Sequence, residues 1–325
     1  MKNSWIPFLG LVIAGMSSVA TMAQDVTNFP SKPIRIIVNF PPGGTVDVMA
    51  RSVAQKLTEK WGQAVVIDNR PGAGGNIGAQ AVALAEPDGY TLLATPPGPM
   101  TINQYLYKDM RFDPAKLNPV IMMASVPNAI AARMDFPANT VKELVAFIKA
   151  NPGKVSFGSQ GNGSTSHLTG QMFATMAGGE MMHIPFKGEG PALTEILGGR
   201  VDLFLGNISA VLKLYQNKQI KLLGVASPSR TPMAPDVPSS QELGMPDFVA
   251  SAWFAVAAPP GTPVAVVNKL NAAIAEVLKL PDVQQKMASL GGEVMGGSPA
   301  DMHTLLLTER ARWKKVIETA NVKLD

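Results

Sequence analysis

The 325-residue sequence contains no cysteine, only three histidines and few aromatic residues, which make up 6% of the chain. The lack of cysteine excludes disulfide bonds, thiol catalysis, cysteine-ligated metals and a lipid anchor attached through cysteine. His167, His183 and His303 are far apart in the sequence and do not predict a metal cage. We therefore expect a freely soluble mature protein that is held by its hydrophobic core alone and carries no metal.

Charge is also sparse, because charged residues make up 16% of the chain and the formal net charge is +4. Lysine and arginine are scattered along the sequence instead of clustered, so nucleic acid is not an expected partner. A mildly positive balance is compatible with an anionic small-molecule ligand.

Long hydrophobic runs are missing beyond the N-terminus. Lys2 is followed by an apolar stretch at 6–14 and by small residues at 18–23, the three parts of a secretory signal peptide. Polar residues at 17–24 cut this stretch short of the roughly 20 residues that a membrane span needs. We predict a signal peptide over residues 1–23, its cleavage, and a mature protein in the periplasm.

Alternating strand-like and helix-like runs predict an α/β fold with largely parallel sheets flanked by helices. Apolar residues from Val46 to Leu57 recur every three or four positions and predict a first helix that stops at Gly62. Further helices are predicted over 266–278 and 299–320, the last one with Trp313 as a docking side chain. The predicted strands are 34–39, 64–68, 91–94, 120–124, 129–133, 155–157, 182–185, 201–205, 221–225 and 251–257.

Two extended passages, at 125–128 and 249–253, look like crossings between two lobes. The sequence predicts a first lobe from 24–126 plus 250–325 and a second lobe from 127–249. Paired extended crossings are suited to act as a hinge around a ligand cleft.

Two glycine-rich turns, 40–47 and 158–167, each follow a predicted strand and open a predicted helix. A helix start offers free backbone N–H groups and a positive dipole end, and glycine lets a ligand come close. We interpret the turns as half-sites that close on one small anion through neutral donors, since neither contains Lys or Arg. The candidate ligand-binding residues are Phe40, Pro42, Gly43, Gly44, Thr45, Asp47, Ser159, Gly161, Gly163, Ser164, His167, Lys187 and Asn207.

Three of these candidates have two interpretations. Asp47 is expected mainly to cap its helix and brace the loop, with some proximity to the ligand. Lys187 is either a cation in the cleft or a solvated side chain. Asn207, which follows the predicted strand 201–205, either reaches the cleft or belongs to an ordinary turn.

Enzymatic and cofactor-binding alternatives have little support. The turn 69–78 imitates a dinucleotide fingerprint, but its spacing is wrong and no acidic residue ends the following strand, so no cofactor is expected. Ser164 and His167 could form a nucleophile and base of a hydrolase. There is no GxSxG elbow, however, and a serine at a helix start is more often a cap.

Taken in order, these turns resemble the tripartite tricarboxylate transporter substrate-binding family, also called Bug receptors. The resemblance covers essentially the whole mature chain. Its ordered pieces lie at 40–51, 69–75, 87–93, 151–154, 158–168, 185–188, 198–202, 235–238 and 259–263.

The resemblance implies a monomeric, two-lobed, type II periplasmic binding protein that is not an enzyme. Such a receptor closes on a small carboxylate and delivers it to a membrane permease with one large and one small subunit. In the family, the turns that match 40–47 and 158–167 hold the ligand. A receptor that reports to a membrane sensor kinase is the alternative, and a secreted serine hydrolase is a further one.

The chain departs from the family pattern at four positions. Phe186 stands where tyrosine is common, Gln171 where glutamate is usual, and Ala255 where glycine is frequent. Glu189 adds an acid after Lys187 and Gly188. Because of these departures, the resemblance alone does not decide whether the ligand is the family's default dicarboxylate.

Overall fold

The computed structural model describes residue 1 and residues 26–324. Apart from Met1, the predicted signal peptide lies outside the described residues. Within the described part of the chain, no helix combines the length and the apolar character needed to cross a membrane.

Strands and helices alternate along most of the chain. The strands are β1 Ile34–Val38, β2 Val65–Asn69, β3 Thr91–Thr95, β4 Asn118–Arg133, β5 Val155–Ser159, β6 Met181–Pro185, β7 Leu203–Asn207, β8 Ile220–Val225, β9 Ser251–Ala258 and β10 Glu293–Gly296. The helices are α1 Thr45–Trp61, α2 Asn76–Ala83, α3 Val141–Ala150, α4 Thr165–Ala177, α5 Glu189–Leu197, α6 Ile208–Gln216, α7 Val264–Leu278, α8 Pro281–Ser289 and α9 Pro299–Thr319.

The predicted strands are present, with one correction. The segments 120–124 and 129–133 are a single strand, β4, that continues through the predicted break at 125–128. This stretch contains Pro127, which cannot donate to a strand ladder. Its neighbours nevertheless keep the strand paired, since Val126 lies opposite Ala252. The sequence pattern also missed β10, which has only four residues and, among the described strands, pairs with β4 alone.

The strands form a sheet for each lobe, and β4 belongs to both. The first sheet has the order β2-β1-β3-β9-β4, with β10 also on β4, and the second has the order β4-β7-β5-β6, with β8 also on β4. β1, β2 and β3 are parallel, and so are β5, β6 and β7. β4, β8, β9 and β10 form antiparallel pairs, so the sheets are more mixed than the sequence predicted.

The two predicted crossings lie side by side. Ser125 pairs with Trp253 and Pro127 with Ser251 on antiparallel strands. The backbone N–H of Asn128 donates to the carbonyl of Ala250 at 2.9 Å. The chain therefore passes between the sheets through two neighbouring, hydrogen-bonded strands.

Helix α9 docks onto the first sheet through buried aromatic residues, as the sequence predicted for Trp313. Trp313 is completely buried, and Trp253 on β9 is 2% exposed. Glu309 Oε2 accepts hydrogen bonds from both indole N–H groups, at 2.9 Å from Trp313 and 3.2 Å from Trp253. The carboxylate thus fastens the C-terminal helix to the strand that returns from the second lobe.

Candidate functional site

The first glycine-rich turn joins β1 to the start of α1. Gly43 has a φ of +80°, which L side chains rarely adopt, and its N–H donates to Asp47 Oδ2 at 2.9 Å. Gly44 is the N-cap residue and supplies no capping side chain. The free N–H groups of the first turn of α1 are therefore open to acceptors from outside the helix.

Asp47 braces this turn. Its carboxylate also accepts hydrogen bonds from Arg51 Nε and Asn69 Nδ2, both at 2.9 Å, and the side chain is buried. Burial acts to raise the pKa of Asp47, but the hydrogen bonds from Arg51, Gly43 and Asn69 outweigh it and lower the pKa. The structure thus shows the bracing contacts of Asp47, and the residue does not line the adjoining cavity.

The second glycine-rich turn joins β5 to α4 and is held by its own hydroxyl groups. Ser164 is the N-cap of α4 and accepts the backbone N–H of His167 at 3.2 Å. Its hydroxyl donates to the carbonyl of Gly161 at 2.6 Å. Gly163 has a φ of +77°, and a Cβ there would lie 2.2 Å from Asn103 Oδ1. The close packing of this turn requires glycine at that position.

The geometry does not form a nucleophile–base pair from Ser164 and His167. The Ser164 hydroxyl contacts the Gly161 carbonyl and Ser166 Oγ, while His167 Nδ1 accepts the N–H of Gly163 at 3.4 Å. A second serine–histidine contact joins Ser159 Oγ to His183 Nε2 at 2.7 Å, but Ser159 is fully buried. Both contacts therefore belong to the packing beneath the turn.

His167 and His183 pack face to face below the cleft. Burial, with a smaller contribution from the neighbouring His183, lowers the pKa of His167 to about 3. Burial lowers the pKa of His183 to about 4. Both rings are therefore neutral at neutral pH.

Glu189, the first residue of α5, reaches across the cleft to the start of α1. Its Oε2 accepts the backbone N–H of Thr45 at 3.2 Å, and its carboxylate also accepts the Thr45 hydroxyl. Oε1 accepts Gln160 Nε2 at 2.9 Å and Asn207 Nδ2 at 2.7 Å. Burial raises the pKa of the Glu189 carboxyl, while the hydrogen bonds from Asn207 and Thr45 oppose that rise.

A cavity of about 330 Å³ lies beside this carboxylate. The first turns of three helices, α1, α5 and α6, contribute to its wall through Thr45, Glu189 and Ser209. Among the described residues that line it, Glu189 is the only ionisable side chain, and no lysine or arginine is present. The cavity wall therefore combines three positive helix ends with one fixed carboxylate.

A second cavity of about 620 Å³ lies on the other side of Phe40, Pro41, Gln160 and Gly188, which border both spaces. The glycine turn 71–75 lines it, together with Tyr107 and the exposed Lys187. The Tyr107 hydroxyl donates to the carbonyl of Asn162 at 3.0 Å. This hydrogen bond joins the two sides of the cleft at its second cavity.

The structure brings together only part of the predicted site. Phe40, Pro42, Gly43, Gly44, Thr45 and Asn207 line the first cavity, and Phe40, Gly161 and Lys187 line the second. Five predicted residues lie beneath the turns: Asp47, Ser159, Gly163, Ser164 and His167. The side chains of all but Gly163, which has no side chain, make the contacts described above.

Sequence reasoning missed several residues at the cavities. Gln160 lies inside the second glycine-rich turn, and Glu189 was noticed only as a departure from a family pattern. Ser209 and Tyr107 carried no local signal, because their positions depend on how distant segments meet.

A mixed α/β protein of two lobes, with a cleft between them lined by helix starts, belongs to the class of periplasmic-type binding proteins. The model of the Tripartite tricarboxylate transporter family receptor matches residues 49–322. The chain belongs to this family of transporter receptors, as its resemblance in sequence indicated.

Individual relatives agree with this assignment. The chain is 36% identical to Protein BugT of Bordetella pertussis over 318 residues, which cover 97% of both chains. A structure described as R. palustris Rpa4515 with adipate has a TM-score of 0.88 and 38% identity, covering 91% of this chain and 99% of the other. MatC of Rhodopseudomonas palustris, with bound malate, has a TM-score of 0.84 and 31% identity, covering 89% of this chain and all of the other.

Proposed function

We propose that this protein is an exported receptor that captures a small carboxylate between its lobes and delivers it to the membrane permease of a tripartite transporter. The proposal rests on its family and on relatives whose structures contain adipate and malate. The predicted signal peptide supports a location in the periplasm, and the receptor would bind its ligand without converting it.

The observation that carries the proposal is the convergence of three helix starts on the first cavity. Each start adds a partial positive charge and backbone N–H groups, which favour an anion without needing an arginine or lysine. The backbone of Gly44 and the hydroxyl of Ser209 lie in the same wall. These neutral groups are suited to hold a carboxylate inside the cleft.

The proposed lobes consist of residues 24–126 plus 250–325 and of residues 127–249. Strands β4 and β9 would form the hinge, because they carry both passages of the chain. Contacts across the cleft, such as Thr45 Oγ1 to Ser209 Oγ at 2.7 Å, would then form when the lobes close.

The experiment is to purify the protein from periplasmic extract, denature it and identify the released small molecules by mass spectrometry. We expect a carboxylate at near-stoichiometric amount, and calorimetric titration of stripped protein with the same compound should give a saturable isotherm. Release of a compound without a carboxyl group, with no binding of carboxylates, would contradict the proposal.

A further inference from the structure

Glu189 supplies an internal carboxylate at the place where the helix starts converge. Its carboxylate lies against the first backbone N–H of α1 and between donors from β7 and the second glycine-rich turn. Asn207, Gln160 and Thr45 are 18, 29 and 144 positions away from Glu189 in the sequence. One anion position of the cleft is therefore already filled by the protein itself.

The hydrogen bonds of this carboxylate leave Oε2 with unused acceptor capacity. Oε1 accepts from Gln160 and Asn207 and shares the Thr45 hydroxyl, so its lone pairs are used. Oε2 accepts the Thr45 N–H and has only the same shared hydroxyl besides. A carboxylate oxygen can accept about two hydrogen bonds, and the single Thr45 hydroxyl proton is divided among Oε1, Oε2 and Ser209 Oγ, so Oε2 keeps capacity for a further donor.

The Glu189 carboxyl has no counter-charge among the described residues that line the cavity, and burial there raises its pKa. All of its hydrogen-bond donors are neutral, and no lysine or arginine is among the described residues that line the cavity. A second carboxylate placed beside it would be repelled, whereas an ammonium group would be both a donor and a counter-charge. At the Glu189 end of the ligand, the site is therefore expected to reject a carboxylate and to favour an ammonium group.

We propose that Glu189 is a specificity determinant of this cleft and selects a carboxylate ligand that carries an amino group at the Glu189 end, against a dicarboxylate of equal length. The inference rests on the proposed function, since the ligand's own carboxylate is held by the remaining neutral donors. It assigns the ligand class as a small amino-substituted carboxylate.

The test uses probe pairs of equal chain length: succinate with 4-aminobutyrate, glutarate with 5-aminovalerate, and adipate with 6-aminohexanoate. Titration calorimetry measures their dissociation constants for the unaltered mature protein, Glu189→Ala and Glu189→Gln. Glu195→Gln is the matched control, because Glu195 lies on the same helix but pairs with Arg200 outside the cavity. Thermal unfolding shows that each variant is folded.

We expect the unaltered protein and Glu195→Gln to bind the amino member of at least one pair about tenfold or more tightly than its dicarboxylate partner. Glu189→Ala should reverse that order, because it frees the start of α1 for a second carboxylate. Glu189→Gln should reduce the preference, because it removes the charge but keeps the size.

Three outcomes would overturn parts of the argument in different ways. If carboxylates bind but the ratio within each pair is unaffected by Glu189→Ala and Glu189→Gln, the Glu189 inference is wrong and the proposed function stands. If n-butylamine binds and loses affinity in Glu189→Gln while no carboxylate binds, the carboxylate function and the stated ligand class are wrong. If no probe binds to any folded form, both are wrong.

Discussion

The imidazole rings of His167 and His183 are stacked, with centroids 3.9 Å apart and planes inclined by 10°. His167 lies on α4 and His183 on β6, and Phe157 also stacks with His183. Two rings this close cannot both take up a proton without repulsion, and burial adds a further cost. The contact between α4 and β6 is therefore favoured when both rings are neutral.

Stability should therefore decrease as pH falls from about 6.5 towards 4. The unfolded histidines have a pKa near 6.5, while burial lowers that of His183 to about 4 in the folded protein. The unfolded state then binds more protons in this window, so acid favours unfolding, by an amount on the order of 2–3 kcal/mol. Burial of Glu189, whose pKa is raised, acts in the opposite direction.

Urea unfolding at several pH values between about 7 and 4 measures this dependence. His183→Gln, which keeps a polar group for Ser159, should give a flatter profile than the unaltered protein. His303→Gln is the control, because His303 is exposed on α9. Equal loss of stability in all three proteins would show that the stacked pair is not its source.

Glu309 is expected to be a major determinant of stability. Glu309→Ala would leave the buried indole N–H groups of Trp253 and Trp313 without their acceptor, at a cost of about 2–4 kcal/mol. Glu309→Gln keeps one acceptor oxygen and should cost less. Glu318→Ala on the same helix, whose side chain is 66% exposed, should change the free energy of unfolding by less than about 0.5 kcal/mol. Urea unfolding followed by tryptophan fluorescence measures the free energy of unfolding of the three variants. Equal effects of Glu309→Ala and Glu318→Ala would contradict the expectation.

Local sequence signals predicted much of the fold. The spacing of Val46, Met49 and Val53 predicted α1, and Gly62 closes it in the left-handed conformation expected of a C-terminal glycine. Trp313 was predicted to dock and is buried. The helix and its end depend on neighbours within a few turns of the chain, which is why the sequence shows them, whereas the partners that bury Trp313 come from distant segments.

The site depended on contacts that no local pattern contains. Thr45 and Glu189 are 144 residues apart, and their hydrogen bond exists only because the two sheets face each other. The continuity of β4 through Pro127 depends on pairing with β9, more than 120 residues later. Local patterns identified the glycine-rich turns but could not tell which of their residues face the cleft and which lie beneath it.

Tyr107 should favour the closed arrangement of the lobes. Tyr107→Phe removes only the hydroxyl that donates to the carbonyl of Asn162 across the cleft. Loss of about 1 kcal/mol of closure should weaken ligand binding about fivefold and leave the free energy of unfolding nearly unchanged. Calorimetry with the co-purified ligand measures the change in affinity. Small-angle scattering should show compaction on ligand addition for the unaltered protein and for Tyr107→Phe. A rigid scattering profile at saturating ligand, with unchanged affinity in Tyr107→Phe, would contradict lobe closure.

Ligand affinity should depend little on Lys187 or on salt. Lys187 is exposed and lines the second cavity, whereas the first cavity has no lysine or arginine among its described lining residues. Lys187→Ala should therefore raise the dissociation constant less than about threefold, because neutral donors and helix dipoles carry the recognition. A tenfold increase in salt should also have a modest effect, since groups inside a closed cleft are screened less than surface charges. Lys142→Ala, on an exposed face of α3, is the matched control for loss of a positive charge. Calorimetry at low and high salt checks both expectations, and a loss of binding in Lys187→Ala but not in Lys142→Ala would replace neutral recognition with a cationic contact.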